Sequence, residues 1–316
     1  MLSSHPRLRL LLKFSAGLVA VAVVLTGFMV ATAALFRPDL THRPAMPSVA
    51  EASAAQTARA ARIDPIHPQV IWRDVNYAEG ARAAWWPKHE SPILAELVHE
   101  GKLPPLAQRV GPEPLVLGGV DGLGRYGGTW HRVAINPEDL EGIIPTRLSY
   151  VSLVRWSPEG YPVVPHLAKS WTVSPDQRVW TFTLRRGLRW SDGHPFTAGD
   201  IMFWWQQEVL YFKSDTLTDP SFMRQSGKLG QIEQLDDLTL RFSFAEPNGL
   251  FLEKLASAVD YFRPAHYLRK FHPAFGDPQF IADTMRAMNL PSPQAVYKRI
   301  QHRLNPEHPR LWPWIY

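Results

Sequence analysis

The sequence predicts an α/β fold with a mixed sheet and flanking helices. Residues 179–184 are rich in β-branched and aromatic types, and residues 238–244 alternate apolar with polar side chains, so both segments are predicted strands. Between them, Thr197 and Asp200 have the spacing of a capping box. An apolar stripe at helical spacing follows, which predicts one helix over residues 197–212.

Three further elements complete the predicted fold. Ser91 as N-cap, Pro92 at the first helical position and Gly101 after the last apolar residue indicate a short helix. Residues 129–135 are predicted to form the first strand of the main domain, and residues 250–258 a second helix.

Composition and charge exclude several classes of protein. Apolar types make up 45% of the 316 residues and charged types 20%, so the chain can bury a core and is not globally disordered. The net charge of +5 is spread along the chain without a Lys/Arg block, which argues against nucleic acid as a partner. Because there are no cysteines, disulfides, thiolate metal sites and thiol nucleophiles are excluded.

The first 36 residues are predicted to be a signal or transmembrane anchor. Basic residues precede 23 uncharged, mostly apolar residues, 14–36, which as a helix would reach about 34 Å. This length favours an uncleaved anchor, although Ala31-Thr32-Ala33 is an acceptable signal-peptidase site. Since the basic residues come first, everything after the segment is expected outside the cytoplasm.

Residues 37–102 are predicted to be a Pro/Ala-rich tether that ends in the short helix, and residues 103–316 form the main domain.

No motif in the main domain predicts catalysis or a metal site. Gly122, Gly124 and Gly127 match a dinucleotide fingerprint, but a predicted strand follows them where that site needs a helix. The 12 histidines show no metal-ligand spacing, and no nucleophile elbow is present. Residues 191–194, Ser-Asp-Gly-His, contain types used in acid–base catalysis, but Asp-Gly between a strand and a capping box indicates a turn. Cofactors and metals are therefore not expected.

Tryptophan is abundant, with 12 residues, and has two interpretations. Indole rings line binding clefts, but they more often fill cores. We expect core positions for Trp180, Trp190, Trp204 and Trp205.

A long ordered motif connects the chain to a known family. Residues 165–201 include the sequences AKSWTVSPD and VWTFTLRRGLRWSDGHPFTAGDI, and residues 232–248 supply a matching strand and turn downstream. Residues 103–110 and 124–129 resemble the lead-in and first strand of a subgroup. The chain resembles the family 5 extracellular solute-binding proteins of ABC importers, the oligopeptide- and dipeptide-binding group, over residues 103–316.

This resemblance implies a fold of the periplasmic-binding-protein type II kind, in which two lobes close on a ligand. It also implies a monomer that delivers peptide, or alternatively oligosaccharide, to ABC permease subunits. Family members are longer, so we expect an incomplete first lobe, with the second lobe and the C-terminal return absent. From this we expect weak ligand binding and exposed apolar surface around Ile300 and Leu311.

Four residues are predicted to line the remaining half of the cleft. Tyr126, Thr129, Asn136 and Glu138 flank the first predicted strand, and ligands of open α/β sheets bind beyond strand ends. An ordinary surface loop is the competing interpretation of this region. The motif within residues 165–201 is framework in such proteins and yields no binding residues.

Two other functions remain open from sequence. An exported carbohydrate-active enzyme would use two carboxylates across a Trp-lined cleft, although no spacing supports such a pair. An incomplete chain would bind nothing.

Overall fold

A computed structural model describes residues 6–35, 48–50, 53, 54, 57, 74–118, 126, 127, 150–157, 160, 162–213, 220–302 and 305–311. Residues 1–53 and 54–316 are two separate units, and each is considered by itself. The first contains helix α1, Pro6–Leu35. Within α1, Lys13–Leu35 is long and apolar enough to cross a membrane by length and composition. The helical conformation predicted for this segment is confirmed.

The second unit combines helices with antiparallel sheets. The helices are α2 Pro92–His99, α3 Leu106–Arg109, α4 Ala198–Trp204, α5 Phe251–Ser257, α6 Ala265–Leu268, α7 Pro278–Met288 and α8 Pro293–Gln301. The strands are β1 Val154–Trp156, β2 Val163–Pro165, β3 Ala168–Val173, β4 Val179–Leu184, β5 Arg224–Gln225, β6 Lys228–Leu229, β7 Gln231–Asp236 and β8 Thr239–Ser243. Short 3-10 helices lie at Tyr77–Arg82, Ser221–Met223 and Arg269–Phe271.

The main sheet has four strands in the order β3-β4-β8-β7. All pairs between the strands of the described residues are antiparallel, so the sheet is built from two hairpins joined along β4 and β8. The predicted strands over residues 179–184 and 238–244 are confirmed as β4 and β8. The predicted strand over residues 129–135 lies outside the described residues.

One face of this sheet forms the core. Trp180, Phe182 and Leu184 of β4 are buried, and in the register Phe182 lies opposite Leu240 of β8. Phe251 of α5 packs on this face, with its ring centroid 5.8 Å from that of Trp180 and 6.2 Å from that of Phe182. The alternation read from the sequence therefore corresponds to burial of one face. Helix α5 confirms the helix predicted over residues 250–258.

The predicted capping box at the start of α4 is present. The Thr197 side chain accepts a hydrogen bond from the Gly199 N–H, and Asp200 Oδ2 accepts one from the Thr197 N–H at 2.9 Å. After α4 the chain continues as a π-helical turn, Trp205–Leu210. The predicted helix over residues 197–212 is thus confirmed, with a wider turn in its second half.

The four tryptophans predicted for the core are all buried, each at 6% exposure or less: Trp180, Trp190, Trp204 and Trp205.

A second apolar cluster lies beside α4. It joins Phe203 of α4, Leu268 of α6 and Tyr297 of α8, together with Ile300. The expectation that Ile300 is exposed is wrong, because α8 packs its apolar face into this cluster and leaves Ile300 only 6% exposed. Leu311 is partly buried against the main core.

Residues before the sheet also contact it. The Arg185 guanidinium, buried beside β4, donates to the Tyr77 hydroxyl at 2.7 Å and to the His166 carbonyl at 2.6 Å. Helix α2 begins as predicted, with the Ser91 hydroxyl accepting a hydrogen bond from the Leu94 N–H. A segment assigned to the tether therefore supplies a side-chain partner to the sheet.

Candidate functional site

The structure describes only one of the four residues predicted to line a cleft. Tyr126 is 59% exposed. Thr129, Asn136 and Glu138 lie outside the described residues. The predicted grouping of these four side chains therefore stays a prediction.

Among the described residues lies a surface groove of about 760 Å³. The end of β1, the 3-10 helix at Ser221–Met223 and helix α5 with the residues after it form its walls. The residues that line this α5 groove are Trp156, Ser221, Phe222, Leu250, Glu253, Lys254, Ser257, Ala258 and Val259.

The amphipathic character of α5 determines which side chains face the groove. Phe251 and Leu255 are buried in the core at 0% exposure, so the helix turns Glu253, Lys254 and Ser257 to the groove side. The helix begins after a turn in which the Asn248 N–H donates to the Gln177 carbonyl at 3.0 Å. This contact ties the start of α5 to the β3-β4 hairpin.

A buried hydroxyl pair fixes β1 against α5. Ser152 Oγ donates to the Leu255 carbonyl at 2.8 Å and lies 2.7 Å from the Tyr261 hydroxyl. Because Ser152 uses its proton on Leu255, Tyr261 donates to Ser152 and accepts from the Leu153 N–H at 2.6 Å. Burial raises the pKa of the Tyr261 phenol, so this group stays neutral. The network holds the strand that carries Trp156 in place beside the helix.

Most side-chain donors in the α5 groove already have acceptors. Trp156 Nε1 donates to Ser257 Oγ at 3.2 Å, and Ser257 Oγ donates to the Glu253 carbonyl at 3.1 Å. Lys254 Nζ is also fully engaged, with acceptors at 3.1–3.4 Å: the Arg224 carbonyl, Gln225 Oε1 and Asn248 Oδ1.

Glu253, in contrast, has an acceptor without a partner. Its Oε2 is buried without a hydrogen-bond donor, and within the described part of the chain its carboxylate has no ion-pair partner. Lys254, the next residue, also lines the groove, but among the described residues it forms no ion pair with Glu253. The groove therefore combines apolar walls with two charged side chains, Glu253 and Lys254, and the three acceptors of the Lys254 ammonium are all neutral groups.

The segment 191–194 forms the predicted turn. The Gly193 N–H donates to the Trp190 carbonyl at 2.9 Å, and Gly193 adopts a φ of +85° that favours glycine. Ser191 exchanges two backbone-directed bonds with Arg310, since its N–H donates to the Arg310 carbonyl and its Oγ accepts from the Arg310 N–H. The turn interpretation is confirmed.

Sequence reasoning missed a histidine beside this turn. His266 Nε2 lies 2.7 Å from Asp192 Oδ2, and its ring stacks on His194 with centroids 3.9 Å apart and planes at 6°. Burial raises the pKa of Asp192, but hydrogen bonds from His266 and the His194 N–H outweigh it, so the pKa is lowered overall. Nothing local in the sequence links these residues, which are 74 positions apart.

This His–Asp cluster does not have the geometry of a metal site. The lone pairs of two parallel imidazoles lie in separate planes and cannot converge on one ion. Consistent with this, no group of three or more potential ligands is arranged to hold a metal among the described residues.

Comparison with protein families finds a match in the central part of the chain. The model described as "Bacterial extracellular solute-binding proteins, family 5 Middle" matches residues 162–287. Residues 162–287 are therefore similar to this family. The matched segment contains β2 to β8 and α4 to α6 and ends within α7. The family resemblance read from residues 165–201 and 232–248 is confirmed.

Two curated relatives are similar to the chain. The periplasmic alpha-galactoside-binding protein of Rhizobium meliloti (strain 1021) is 30% identical over 205 residues, which are 58% of this chain and 29% of the relative. The periplasmic oligopeptide-binding protein OppA of Escherichia coli (strain K12) is 28% identical over 156 residues, 44% of this chain and 28% of OppA. The chain thus spans less than a third of either relative.

Solved structures confirm the predicted α/β fold of the periplasmic-binding-protein type II kind. An oligopeptide-binding protein OppA superposes with a TM-score of 0.66 at 40% identity, covering 76% of this chain and 37% of that chain. The periplasmic binding protein MelB of Agrobacterium fabrum C58, solved with stachyose, superposes with a TM-score of 0.52 at 23% identity, covering 72% of this chain and 35% of its own. At 23% identity, the similarity to MelB shows only that the fold is shared.

Proposed function

We propose that the protein is an extracytoplasmic substrate-binding component of an ABC importer and captures peptides or oligosaccharides for transport. The family 5 match over residues 162–287 is the observation that carries this proposal. Relatives named for oligopeptide binding and for alpha-galactoside binding support the two ligand classes. These relatives are binding proteins, so the alternative of a carbohydrate-active enzyme has no support from the comparisons.

The proposal includes the cellular setting. The apolar span Lys13–Leu35 serves as an anchor or signal segment at the extracytoplasmic face of the membrane. Residues 37–102 form the tether, and residues 103–316 form the binding domain, which acts as a monomer. ABC permease subunits are the proposed membrane partner, and no nucleic acid is involved.

Tyr126, Thr129, Asn136 and Glu138 remain the proposed ligand-contacting residues. The exposure of Tyr126, at 59%, is compatible with ligand contact. In closing clefts of this kind, hydrogen bonds from the strand ends hold the ligand and determine affinity.

Thermal shift of the full chain in detergent micelles tests ligand binding. We expect tripeptides or alpha-galactosides such as raffinose at millimolar concentration to raise Tm, because a ligand that binds only the folded state stabilises it. The substitution Glu138→Gln should reduce the shift, and Glu246→Gln, at a carboxylate paired with Lys228 on the surface, is the matched control. No shift with either ligand class would contradict the proposal.

A further inference from the structure

We propose that the second unit binds the surface of an anionic lipid bilayer through an exposed patch of aromatic and basic side chains. The residues of this aromatic–basic patch are Tyr211, Arg269, Lys270, Phe275 and Phe280. Contact with lipid does not require a captured ligand, so this surface goes beyond the proposed function. Three properties of the patch support it: cations without acidic partners, exposed rings and a backbone that holds them together.

The two cations of the patch have no acidic partner. Arg269 and Lys270 are exposed, and within the described part of the chain neither side chain forms an ion pair or a hydrogen bond. Arg269 Cζ lies 4.8 Å from the ring centroid of Phe275, and Lys270 Nζ lies 4.9 Å from that of Phe271. An aromatic ring attracts a cation without cancelling its charge. Both charges therefore remain available to an anionic partner.

The helices around the patch add to its positive charge. Residues 265–301, which contain α6 to α8, carry five Arg or Lys side chains against two Asp, a net charge of +3 with neutral histidines. Both acids have local partners. Asp277 caps α7 through the Gln279 N–H at 3.1 Å, and Asp283 pairs with Arg286. The excess of basic side chains favours an anionic surface as partner.

Three large rings of the patch are exposed to solvent. Tyr211 is 47% exposed, Phe275 42% and Phe280 40%. The Tyr211 and Phe275 rings both contact His272, with centroids 4.8 and 5.2 Å apart, and the Phe280 ring lies 5.5 Å from that of the adjacent Phe271. The rings thus belong to one continuous surface, unlike the single exposed apolar residues that are common on soluble proteins. Partly exposed aromatic rings suit the boundary between lipid headgroups and acyl chains.

Backbone packing holds the patch together. The Phe275 and Gly276 N–H groups both donate to the His272 carbonyl, at 3.0 and 2.8 Å. A Cβ on Gly276 would overlap the Lys270 carbonyl, so the close approach of this loop to the 3-10 helix requires glycine. Phe275 is thereby fixed beside Arg269 before any contact with lipid.

An anionic bilayer matches these features better than a protein partner does. Negatively charged headgroups attract exposed Arg and Lys, and interfacial rings enter the boundary below the headgroups. In a chain anchored by the apolar span Lys13–Leu35, the bilayer is also the surface at the highest local concentration. An acidic protein would share the charge but not this proximity.

Single-cysteine labelling tests contact with lipid. The chain has no cysteine, so Ala274→Cys, at an exposed position beside Phe275, can carry the only fluorophore. The full chain is placed in nanodiscs, where both leaflets are accessible, with doxyl-labelled lipid as quencher. With about one-third phosphatidylglycerol in phosphatidylcholine, quenching at position 274 should exceed that at Thr172→Cys, an exposed control on β3, at least about threefold. With phosphatidylcholine alone, this excess should be smaller. Equal quenching at the two positions in both bilayers would overturn the proposal and leave an acidic protein as the partner of the patch.

Charge reversal separates the patch from the net charge of the protein. Arg269→Glu combined with Lys270→Glu should abolish the excess quenching at position 274, because the headgroups then repel the patch. The matched control combines Lys228→Glu with Arg241→Glu, which changes the net charge equally at exposed positions outside the patch. It should keep the excess within about twofold. Circular dichroism melting checks that the variants fold. If both pairs reduce quenching equally, net charge rather than this patch causes the contact, and the proposal fails.

The rings can be tested without a change of charge. Phe280→Ser should lower the quenching at position 274 at least about twofold, because less apolar surface enters the bilayer. Leu250→Ser, at a side chain that is 65% exposed outside the patch, should leave it unchanged. Equal effects of the two serine variants would contradict ring insertion. Loss of lipid contact with a retained Tm shift by tripeptides or raffinose would reject this inference alone, and the reverse result would reject only the proposed function.

Discussion

Arg263 Nε donates to Glu208 Oε1 at 2.7 Å, and the two side chains are only 1% and 0% exposed. Tyr297 of α8 donates its hydroxyl to the same oxygen at 2.8 Å. Burial raises the pKa of Glu208, although the Arg263 guanidinium opposes this shift. The π-helical turn that carries Glu208 is thereby joined to the segment after α5 and to α8, which connects the two apolar clusters.

We expect Arg263→Met to lower the free energy of unfolding by about 3–5 kcal/mol, because it leaves the Glu208 carboxylate buried without its cation. The matched control is Arg241→Met, which breaks the exposed pair with Glu233 and should cost about 1 kcal/mol or less. Urea unfolding followed by tryptophan fluorescence measures both. Equal destabilisation of the two variants would show that the buried ion pair contributes no more to stability than the exposed one.

Asp200 has more partners than a capping residue needs. Its carboxylate accepts from the Thr197 N–H, from the Ala265 N–H at 3.2 Å and from Trp190 Nε1 at 3.2 Å. We expect Asp200→Ala to lower the free energy of unfolding by about 3 kcal/mol, since it removes the capping-box bond to the Thr197 N–H and leaves buried donors without acceptors.

The control for this variant is Asp277→Ala at the start of α7, where the exposed side chain caps through the Gln279 N–H. It should cost about 1 kcal/mol. If the two variants have the same urea midpoint, the two additional contacts of Asp200 contribute nothing to stability.

Asp200 and Glu208 show which contacts can be predicted from the sequence and which cannot. The capping box of α4 was predictable because Thr197 and Asp200 are three positions apart, and the alternation in β8 was predictable because strand faces repeat every two residues. The contact of Asp200 with Ala265 spans 65 positions and that of Glu208 with Arg263 spans 55. Such pairings depend on how helices and strands pack together, which a local sequence pattern does not predict.

The candidate groove was not predictable for the same reason. Trp156, Phe222 and Glu253 come from three separate elements, and in sequence Glu253 is an ordinary polar position on an amphipathic helix. Only the structure shows that one oxygen of its carboxylate lacks a donor. The predicted cleft residues, in contrast, follow from the general position of ligands at strand ends and stay a prediction.

The helix α1 should behave as a membrane span. Its apolar part, Lys13–Leu35, covers 23 residues or about 34 Å, against a hydrocarbon core of about 30 Å. We expect the full chain to sediment with membranes and to resist carbonate extraction. Replacing Val21 and Leu25 with Asp should release it, because charges at the centre of a span oppose insertion. A soluble form that begins at Ala34 would show instead that the segment is a cleaved signal peptide.

His166 should make the protein less stable in acid. Burial, followed by the charges of Arg155 and Arg185, lowers its pKa to about 3, and its Nδ1 accepts from the Ser152 N–H at 3.4 Å. An unfolded histidine titrates near 6.5, so between about pH 6.5 and 3 the unfolded state binds more protons at this site. The free energy of unfolding should therefore fall as pH falls, by up to about 1.4 kcal/mol per pH unit from this group.

The substitution His166→Gln isolates this contribution, because its amide oxygen can still accept from the Ser152 N–H but cannot be protonated in this range. Urea unfolding at several values between pH 7 and 4 should show a slope shallower by nearly one proton than that of the unmodified chain. His308, whose pKa burial lowers to about 2, should account for part of the remaining slope. The control variant is His89→Gln, at an exposed position. If both glutamine variants retain the full pH dependence, His166 is not held neutral in the fold, and the acid sensitivity arises elsewhere.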